Sequence, residues 1–416
     1  MSTTMTSTAT VSTTMTARQA AQRLGVKVET LYAYVSRGLL ERDTAADGRS
    51  SLFDRRAVEA LARRGRPRQS SKATSIDLLI ETRLTSLSMH AVRYRGLDVA
   101  ALARGSTFEA VAQLLWLGVD GNSAEGDTTP WRGAGFSPVM RDDVAGADAI
   151  RMIVAEAWAH DPVGASGRDA AAMARSGRSL IATIVDSLPS CGATVAAHLT
   201  LADGTGPIRG SIAGRLWGKL TAQRPTPAMV GVLNAALVLL ADHELAASTL
   251  AARVAASTHA GPYAVVSAGL ATLSGPLHGA ASSLARALLL DAEASGGRVA
   301  VDSLLGAHRL VPGFGHKVYT DADPRAIVLL ELVASVAGAE RIAFVDEVVA
   351  AVAERTGRGP NIDVALAALG HICGMSLDAG EVIMAVARTS GWLAHAIEEY
   401  AEAPLRFRPR ASYIGE

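Results

Sequence analysis

A short glycine- and proline-rich turn in the second half of the chain carries a histidine. It reads Gly-Pro-Leu-His-Gly at residues 275–279, where the proline suits the start of a helix and the glycines allow a ligand to approach closely. A histidine at a helix N-terminus tends to stay neutral, because the positive end of the helix dipole opposes protonation. We therefore expect His278 to donate one N–H group to a developing oxyanion.

A second turn of this kind lies at residues 311–319, Val-Pro-Gly-Phe-Gly-His-Lys-Val-Tyr, and is followed by Asp-Pro-Arg at 323–325. Its two glycines leave the imidazole of His316 on a tight loop. Arg325 can offer a two-pronged guanidinium to a carboxylate. This combination indicates a site for an anionic carbonyl compound.

A third cluster places a carboxylate at the start of an apolar helix. It reads Gly-Pro-Asn-Ile-Asp at 359–363. Asp363 is a candidate general base, with a raised pKa if burial outweighs the effect of the helix terminus. The alternative is that Asp363 only caps the helix. Arg388 lies in another apolar run, where an unpaired charge is costly, so it requires an anion.

Six motifs in a fixed order resemble those of the citrate synthase family. They are DHE with ST at 242–249, GPLHG at 275–279, PGFGHKVY with DPR at 312–325, PNID at 360–363, ARTSGWLAHAIEE at 387–399 and RPR at 408–410. Tyr-Arg-Gly at 94–96 and the stretch 106–118 also match, so the resemblance covers about residue 76 to the C-terminus. One such motif is weak evidence, but six in order are specific.

The resemblance implies a reaction between an acyl-CoA thioester and oxaloacetate. Asp363 would remove a proton from the acyl α-carbon while His278 hydrogen-bonds the thioester oxygen. His316 would polarise the ketone of oxaloacetate. The carboxylates of oxaloacetate would be held by His243, Arg325 and Arg388, and by Arg408 from the neighbouring subunit of a homodimer. No metal and no permanently bound cofactor is implied, since CoA enters as part of the substrate.

Other residues of reactive type receive lesser assignments. Contacts to the CoA phosphates are expected from Lys317, Arg355 and Arg358. Structural roles are expected for His371, His395, Cys191 and Cys373. Without its surrounding motif, His243 would be interpreted as a satisfied buried histidine.

The acyl group remains open at this stage. Residue 363 is followed here by Val-Ala-Leu-Ala, whereas family members commonly have a Phe-Tyr-Ser-Gly-like run. The first prediction is acetyl-CoA with citrate as product, and the alternative is propionyl-CoA with 2-methylcitrate. One extra methylene changes binding by only about 1–3 kcal/mol, so sequence does not separate the two.

The elements that must position these residues are predicted to be helices. Apolar residues make up 49% of the chain and aromatic residues only 4%, which predicts an all-α fold with a core of Ala, Leu and Val. One small hairpin is expected near 76–82, and a helix with a capping box starting at Ser106 and Glu109. The resemblance implies a large domain at 76–272 and 374–416 and a small domain at 273–373.

Residues 16–66 have the pattern of a separate helix-turn-helix domain. Helices are predicted at 17–24 and 28–36, ending at Gly25 and Gly38, followed by a hairpin or wing around 48–50. A third helix would be capped by Asp54, with Val58 and Leu61 facing inward. The segment resembles winged-helix DNA-binding domains of the excisionase and MerR types. Residues 1–15 are expected to be a disordered tail and 67–75 a linker.

Charge is unevenly distributed in a chain with no net charge. Residues 1–75 carry 13 basic and 6 acidic side chains, a net of +7 that the rest of the chain balances. This favours DNA as a partner, through 16–66, but the same fold also serves as a dimerisation or protein-binding module. A DNA-binding metabolite sensor is therefore a further alternative to an enzyme. The expected DNA contacts are Lys27, Glu29, Thr30, Tyr32, Tyr34 and Arg49.

The sequence also predicts where the protein is found. Its N-terminus has no apolar segment typical of a signal peptide, and no run of about 18 apolar residues occurs anywhere in the chain. It has two cysteines without metal-ligand spacing. A cytoplasmic protein without a membrane association is expected.

Overall fold

The computed structural model describes residues 14–24, 26–36, 40–44, 51–63, 79–121, 130–136, 144, 146–161, 167–191, 210–279, 281–409 and 413. The chain divides into two compact units, residues 1–80 and 81–416. The further division of the second unit into a large and a small domain stays a prediction. No helix in the described ranges is long and apolar enough to cross a membrane.

In its described residues, the first unit combines three helices with a small antiparallel sheet in the order β1-β3-β2. Its elements are β1 (Thr14–Thr16), α1 (Ala17–Leu24), α2 (Val28–Ser36), β2 (Asp43–Thr44), β3 (Ser51–Asp54) and α3 (Arg55–Arg63). Helices α1 and α2 have the predicted bounds. The predicted tail extends too far, because Thr14 and Met15 pair with Asp54 and Phe53 in the sheet.

The cap and the core of the first unit test the residues that were assigned from the sequence. Asp54 accepts a hydrogen bond from the amide of Ala57 at 2.8 Å and so caps α3, as predicted. Val58 and Leu61 are buried, also as predicted. Tyr34 is only 4% exposed, so the prediction that it contacts DNA is wrong. The predicted turn residues Gly25, Gly38, Gly48 and Ser50, the wing residue Arg49 and the linker 67–75 lie outside the described residues.

The second unit is predominantly helical. It begins with a sheet of β4 (Thr85–Leu87), β5 (Val92–Tyr94) and β6 (Leu97–Asp98). Its helices are α4 (Val99–Gly105), α5 (Phe108–Gly121), α6 (Gly146–His160), α7 (Ala170–Ser187), α8 (Ile212–Leu220), α9 (Pro227–Leu240), α10 (Ala247–Ser257), α11 (Pro262–Leu273), α12 (Ala281–Ser295), α13 (Gly297–Gly306), α14 (Pro324–Ala337), α15 (Ala339–Thr356), α16 (Ile362–Ile372) and α17 (Ala379–Tyr400).

Two local predictions for this unit are wrong. The hairpin was expected near 76–82, but the strands begin at Thr85, and residues 76–78 are outside the described ranges. Helix α5 begins at Phe108 rather than Ser106. The carboxylate of Glu109 does not complete a capping box, because it accepts a hydrogen bond at 2.6 Å from the amide of Ile212, the first residue of α8. A tertiary contact has replaced the local one.

Helix α17 forms the centre of the second unit. Almost every residue from Ala379 to Ala396 is buried, as expected for a helix that is packed on all sides. It contacts α5, α7, α9, α10 and α11, while α12 to α16 pack mainly on one another. The core is rich in Ala, Leu and Val as predicted, with Trp116, Trp217 and Trp392 among its largest buried side chains.

Candidate active site

The turn between α9 and α10 carries His243, which is 8% exposed. Its Nε2 lies 2.9 Å from the hydroxyl of Tyr319, and its ring centroid lies 5.3 Å from that of His316, almost perpendicular to it. Burial, together with the positive charges of Arg325 and Arg388, lowers the pKa of His243 well below its ordinary value. His243 is therefore neutral at neutral pH and lies beside His316.

The loop that carries His316 is joined to the one that leads into α16. The amide of Gly315 donates to the carbonyl of Gly359 at 2.9 Å, and the amide of Asn361 donates to the carbonyl of Gly313 at 2.9 Å. Gly313 has a φ of 84°, and a Cβ atom there would lie 2.7 Å from that of Val364. Glycine is required at this close approach. The two loops thus hold His316 and Asp363 in a fixed relation.

His316 has one ring nitrogen already occupied. Its Nδ1 accepts a hydrogen bond from the amide of Val318 at 3.0 Å. The proton of the neutral ring must then be on Nε2, which is left to donate. Burial and the charge of Arg325 lower the pKa of His316, which favours this neutral form.

Asp363 lies in the first turn of α16 but does not cap the helix. The cap is Asn361, whose side-chain oxygen accepts from the amide of Asp363 at 2.9 Å. The Oδ1 atom of Asp363 is buried and has no hydrogen-bond partner among the described residues. Burial raises the pKa of Asp363 to about 7, despite the opposing charge of Arg325. An unpartnered carboxylate with this pKa is suited to accept a proton.

Two buried arginines differ in which guanidinium nitrogens are left to bind a substrate. Arg325 binds Asp323 with two nitrogens, Nε at 3.0 Å and Nη2 at 2.6 Å, which leaves Nη1 for a substrate, so its contact with a substrate carboxylate stays a prediction. Arg388 donates only its Nε, to the carbonyl of Leu240 at 2.9 Å, and has no carboxylate partner among the described residues. Its two terminal nitrogens are the ones left to bind a carboxylate end-on.

His278 lies in the turn between α11 and α12. Its Nε2 is 2.8 Å from the hydroxyl of Ser248, which leaves Nδ1 as the other ring nitrogen. Burial, with a smaller contribution from the charge of Arg388, lowers the pKa of His278 to about 4. His278 is therefore neutral at neutral pH, the form expected from its sequence setting. The charge of Arg388 thus lowers the pKa of both His243 and His278.

The remaining predicted residues lie on the surface. Lys317, Arg358 and Arg408 are exposed. Arg355 forms an exposed ion pair with Asp302, with both nitrogen–oxygen distances at 3.0 Å. The side chain of Arg358 approaches the loop of His316, since a Cβ atom at Gly315 would lie 3.2 Å from its Cδ. Of the CoA candidates, Arg358 is thus placed beside the site.

Several site residues were not singled out from the sequence as functional. Ser248 and Tyr319 bind the histidines directly, and Asp323 occupies Arg325. All three stand inside the quoted motifs, so their positions in those motifs were the available signal. Across the described ranges, no group of three or more His, Cys, Asp or Glu side chains is arranged to hold a metal ion.

Comparison with known proteins agrees with this geometry. A sequence model described as citrate synthase, C-terminal domain, matches residues 77–410. A citrate synthase of Haloferax volcanii is 31% identical over 362 residues, which cover 82% of this chain and 94% of that protein. A 2-methylcitrate synthase of Mycobacterium tuberculosis is 29% identical over 78% of this chain and 85% of its own length.

The fold also matches solved structures. One is the ternary complex of carboxymethyl coenzyme A and oxaloacetate with citrate synthase from Thermoplasma acidophilum. It superposes with a TM-score of 0.64 at 24% identity, covering 84% of this chain and 97% of that one. The family match over residues 77–410, with the helical fold and the order of the site motifs, shows that the chain belongs to the citrate synthase family of acyltransferases.

Proposed function

We propose that the protein condenses acetyl-CoA with oxaloacetate and hydrolyses the resulting thioester to citrate and CoA. One observation carries the proposal. Asp363, whose buried Oδ1 has no hydrogen-bond partner among the described residues and whose pKa is raised to about 7, lies beside a loop that is hydrogen-bonded to the loop of His316. We assign it to one site with the histidines at 243, 278 and 316 and the buried arginines at 325 and 388. That set contains a base for a weakly acidic carbon, donors for two carbonyl oxygens and cations for carboxylates.

The first step is proton removal from the acyl α-carbon. Asp363 takes the proton, and the electron pair moves onto the thioester oxygen. If the hydroxyl of Ser248 donates to Nε2 of His278, the ring proton is on Nδ1, which then donates to that oxygen. A neutral donor aimed at the developing charge stabilises the enol or enolate, which is the hard step.

The second step forms the carbon–carbon bond. The enolate carbon attacks the ketone carbon of oxaloacetate, and the ketone oxygen takes up a proton. His316 polarises that oxygen through its Nε2–H group. Arg388 and His243, with the remaining nitrogen of Arg325, hold the carboxylates. Water then adds to the thioester carbonyl, and CoA leaves as the free thiol.

The test is release of CoA thiol by the purified protein given oxaloacetate and acetyl-CoA. We expect oxaloacetate-dependent release by the wild type and loss of release in Asp363→Ala. A wild-type protein that binds oxaloacetate but releases no thiol from acetyl-CoA or propionyl-CoA would contradict the enzyme and favour the sensor.

Propionyl-CoA is the alternative acyl donor. A relative named 2-methylcitrate synthase is 29% identical to this chain, and Val364 and Ala365 follow the proposed base. We propose acetyl-CoA as the preferred donor. The ratio of the kcat/KM values for acetyl-CoA and propionyl-CoA tests this preference. A higher value for propionyl-CoA would assign 2-methylcitrate as the product.

We also propose a cytoplasmic homodimer in which Arg408 reaches the partner's site. Arg408 is exposed, as a residue donated to another subunit must be in the isolated chain. For the location, the support is the presence of two free cysteines, Cys191 and Cys373. Light scattering gives the mass, and Arg408→Ala should raise the KM for oxaloacetate while the dimer persists. A monomer with full activity would contradict the assignment.

DNA binding by the first unit is a second candidate function. Its support is the net charge of +7 in residues 1–75 and the exposed Lys27 and Glu29 on or beside α2. Thr30 is half-buried and Tyr32 39% exposed, so both are accessible for contacts. We expect salt-dependent binding to duplex DNA that Lys27→Glu weakens. Equal binding by that variant would exclude α2 as the reading helix.

A further inference from the structure

A chain of hydrogen-bonded, mostly buried ionisable side chains lies behind the site. Arg253 and Glu399 have no exposed side-chain surface, and the Nε of Arg253 donates to Glu399 at 2.8 Å. The Nη1 of Arg253 donates to Nδ1 of His395 at 2.8 Å and to Glu398 at 3.0 Å. The Nε2 of His395 lies 3.3 Å from Oδ2 of Asp242. Asp242 is the residue immediately before His243.

The protonation of His395 follows from these contacts. A guanidinium only donates, so Nδ1 of His395 must accept from Arg253 and carries no proton. The ring proton is therefore on Nε2, directed at Asp242. His395 thus transmits the orientation of Arg253 to the carboxylate of Asp242 through one fixed tautomer.

Asp242 in turn shapes the turn at 241–246. Its Oδ2 accepts from the amide of Glu244 at 3.2 Å and also from the hydroxyl of Thr85. Glu244 has a φ of 53°, an unusual value for a residue other than glycine. The turn lies between two helices, and side-chain contacts replace the hydrogen bonds that a helix would supply. The position of His243 therefore depends on the carboxylate of Asp242.

Helix α17 packs closely against the same turn. A Cβ atom at Gly391 would lie 2.6 Å from Oδ1 of Asp242, so only glycine allows this approach. The hydroxyl of Tyr94 donates to the carbonyl of Asp242 at 2.8 Å. The turn is thus held from both sides, and His395 links it to the Arg253–Glu399 pair.

At its other end, this series of side chains binds the C-terminal segment. Arg406 binds Glu399 with two nitrogens, each at 2.7 Å. The amide of Leu405 donates to the carbonyl of Ser257 at 2.8 Å. Arg408 follows two residues after Arg406. The same buried carboxylate, Glu399, therefore joins Arg253 to the segment that carries Arg408.

We propose that the chain Asp242–His395–Arg253–Glu399–Arg406 positions His243 and joins its turn to the C-terminal segment. None of its members needs to touch a substrate. The oxaloacetate readout rests on the proposed function, whereas the effect on the geometry of His243 does not. His395, assigned a structural role from sequence, becomes a positioning residue.

Two substitutions of His395 separate positioning from packing. Asn places its side-chain oxygen near the position of Nδ1 and so keeps the contact to Arg253 but loses the one to Asp242. Gln places its amide near the position of Nε2 and so keeps the contact to Asp242. The matched control is His371→Asn, which breaks another histidine–carboxylate pair, His371 with Glu293 at 3.1 Å.

The primary measurement is the imidazole ¹⁵N spectrum of the ligand-free protein. We expect the His243 resonances to shift in His395→Asn and to stay near their wild-type positions in His395→Gln and His371→Asn. Unchanged His243 resonances in a folded His395→Asn protein would overturn the proposal. The spectrum tests the positioning of His243 even if the wild-type protein has no condensing activity. A failure of the proposed function would therefore be distinguished from a failure of this proposal.

Kinetics supply the second measurement. In His395→Asn the KM for oxaloacetate should rise by about tenfold or more with a smaller change in kcat, because His243 binds substrate and a displacement of about 1 Å is costly. His395→Gln should restore most of the affinity. Equal KM values in both variants would assign His395 to packing alone.

A second variant covers the case in which His395→Asn does not fold. Thr85→Val removes only one hydrogen bond to Asp242 and keeps the shape of the side chain. The same His243 resonances should shift, by less than in His395→Asn. Arg406→Gln tests the C-terminal end of this series of side chains. We expect a smaller rise in the KM for oxaloacetate than in His395→Asn, and an unchanged KM would show that Arg406 does not help to position His243.

Discussion

Two aspartates at the site differ in the hydrogen bonds that they receive. Asp242, on the turn before α10, accepts hydrogen bonds at Oδ2 from Thr85, Glu244 and His395, while its buried Oδ1 has no partner among the described residues. Asp363, in the first turn of α16, has an Oδ1 atom that is buried and receives none from the described residues. Burial alone raises the pKa of both. For Asp242 the donors and the charge of Arg388 outweigh burial and lower the pKa, whereas Asp363 remains at about 7.

The difference shows that donors, rather than burial, decide which carboxylate is a base. A carboxylate that accepts several hydrogen bonds is stabilised as an anion and is a poor proton acceptor. One that lacks donors is less stable as an anion and takes up a proton readily near neutral pH. The fold thus keeps Asp242 as a structural charge and leaves Asp363 available for chemistry.

The largest effect that tests this contrast is on turnover. Asp363→Ala should lower the rate of CoA release by about 10²–10⁴-fold, because general-base catalysis contributes that much. Asp346→Asn, an exposed carboxylate on α15, is the control and should keep the wild-type rate. Asp363→Ala with near-wild-type turnover would remove Asp363 from the chemistry.

Replacing each of the two aspartates by asparagine should change the free energy of unfolding in opposite directions. At pH 8, Asp242→Asn should lower the free energy of unfolding by about 1–3 kcal/mol, since charged hydrogen bonds are lost, and Asp363→Asn should raise it by a similar amount. Urea denaturation of both variants beside the wild type measures the two values. Changes of the same sign would refute the contrast.

The pH dependence of that stability gain follows from the raised pKa. In the unfolded chain Asp363 titrates near its ordinary value of 3.8, and in the folded protein near 7. The folded state therefore loses stability as pH rises between these values and no further above them. The advantage of Asp363→Asn should be largest above pH 7 and fade toward pH 4. Denaturation at several pH values tests this, and a constant advantage would contradict the pKa.

The rate should depend on pH through the same group. Because the base must be ionised, kcat/KM should fall about tenfold for each pH unit below a pH of about 7. The pH profile of CoA release at low substrate concentration measures this. A flat profile down to pH 5 would mean that Asp363 is already ionised there.

The smallest expected effect concerns the orientation of His278. Ser248→Ala removes the hydroxyl at 2.8 Å from Nε2, which should lower kcat by about tenfold or less, since one neutral hydrogen bond contributes about 1 kcal/mol. Ser267→Ala is the matched control, because its hydroxyl donates to a carbonyl within α11. An equal loss in both variants would show a general effect of helix packing.

Local signals predicted the elements that are held by local contacts. Helices α1 and α2 have the predicted bounds, and Asp54 caps α3 as expected. Helix α5 starts at Phe108 because Thr107, rather than Ser106, caps it by accepting from the amide of Ala110, and the predicted capping box is absent because Glu109 binds the amide of Ile212, far along the chain. Tyr34 was wrongly placed on a DNA-facing surface because helical periodicity did not reveal which side packs on the core.

For the site, the residues and their chemical types could be predicted from the amino-acid sequence. The order of motifs and their glycines and prolines indicated His243, His278, His316 and Asp363, because those residue types serve such chemistry in tight turns. It also determined a helical fold, since Ala and Leu dominate and aromatic residues are few.

Which atoms of these residues are free to bind a substrate depends on tertiary contacts. Asp323 occupies the fork of Arg325, Arg388 keeps its terminal nitrogens, and Val318 sets the tautomer of His316. Hydrogen-bond donors and burial arise from residues that are distant in sequence. The charge and protonation of each group follow from them. For that reason Asp242 and Asp363, equally plausible as bases by residue type, differ in role.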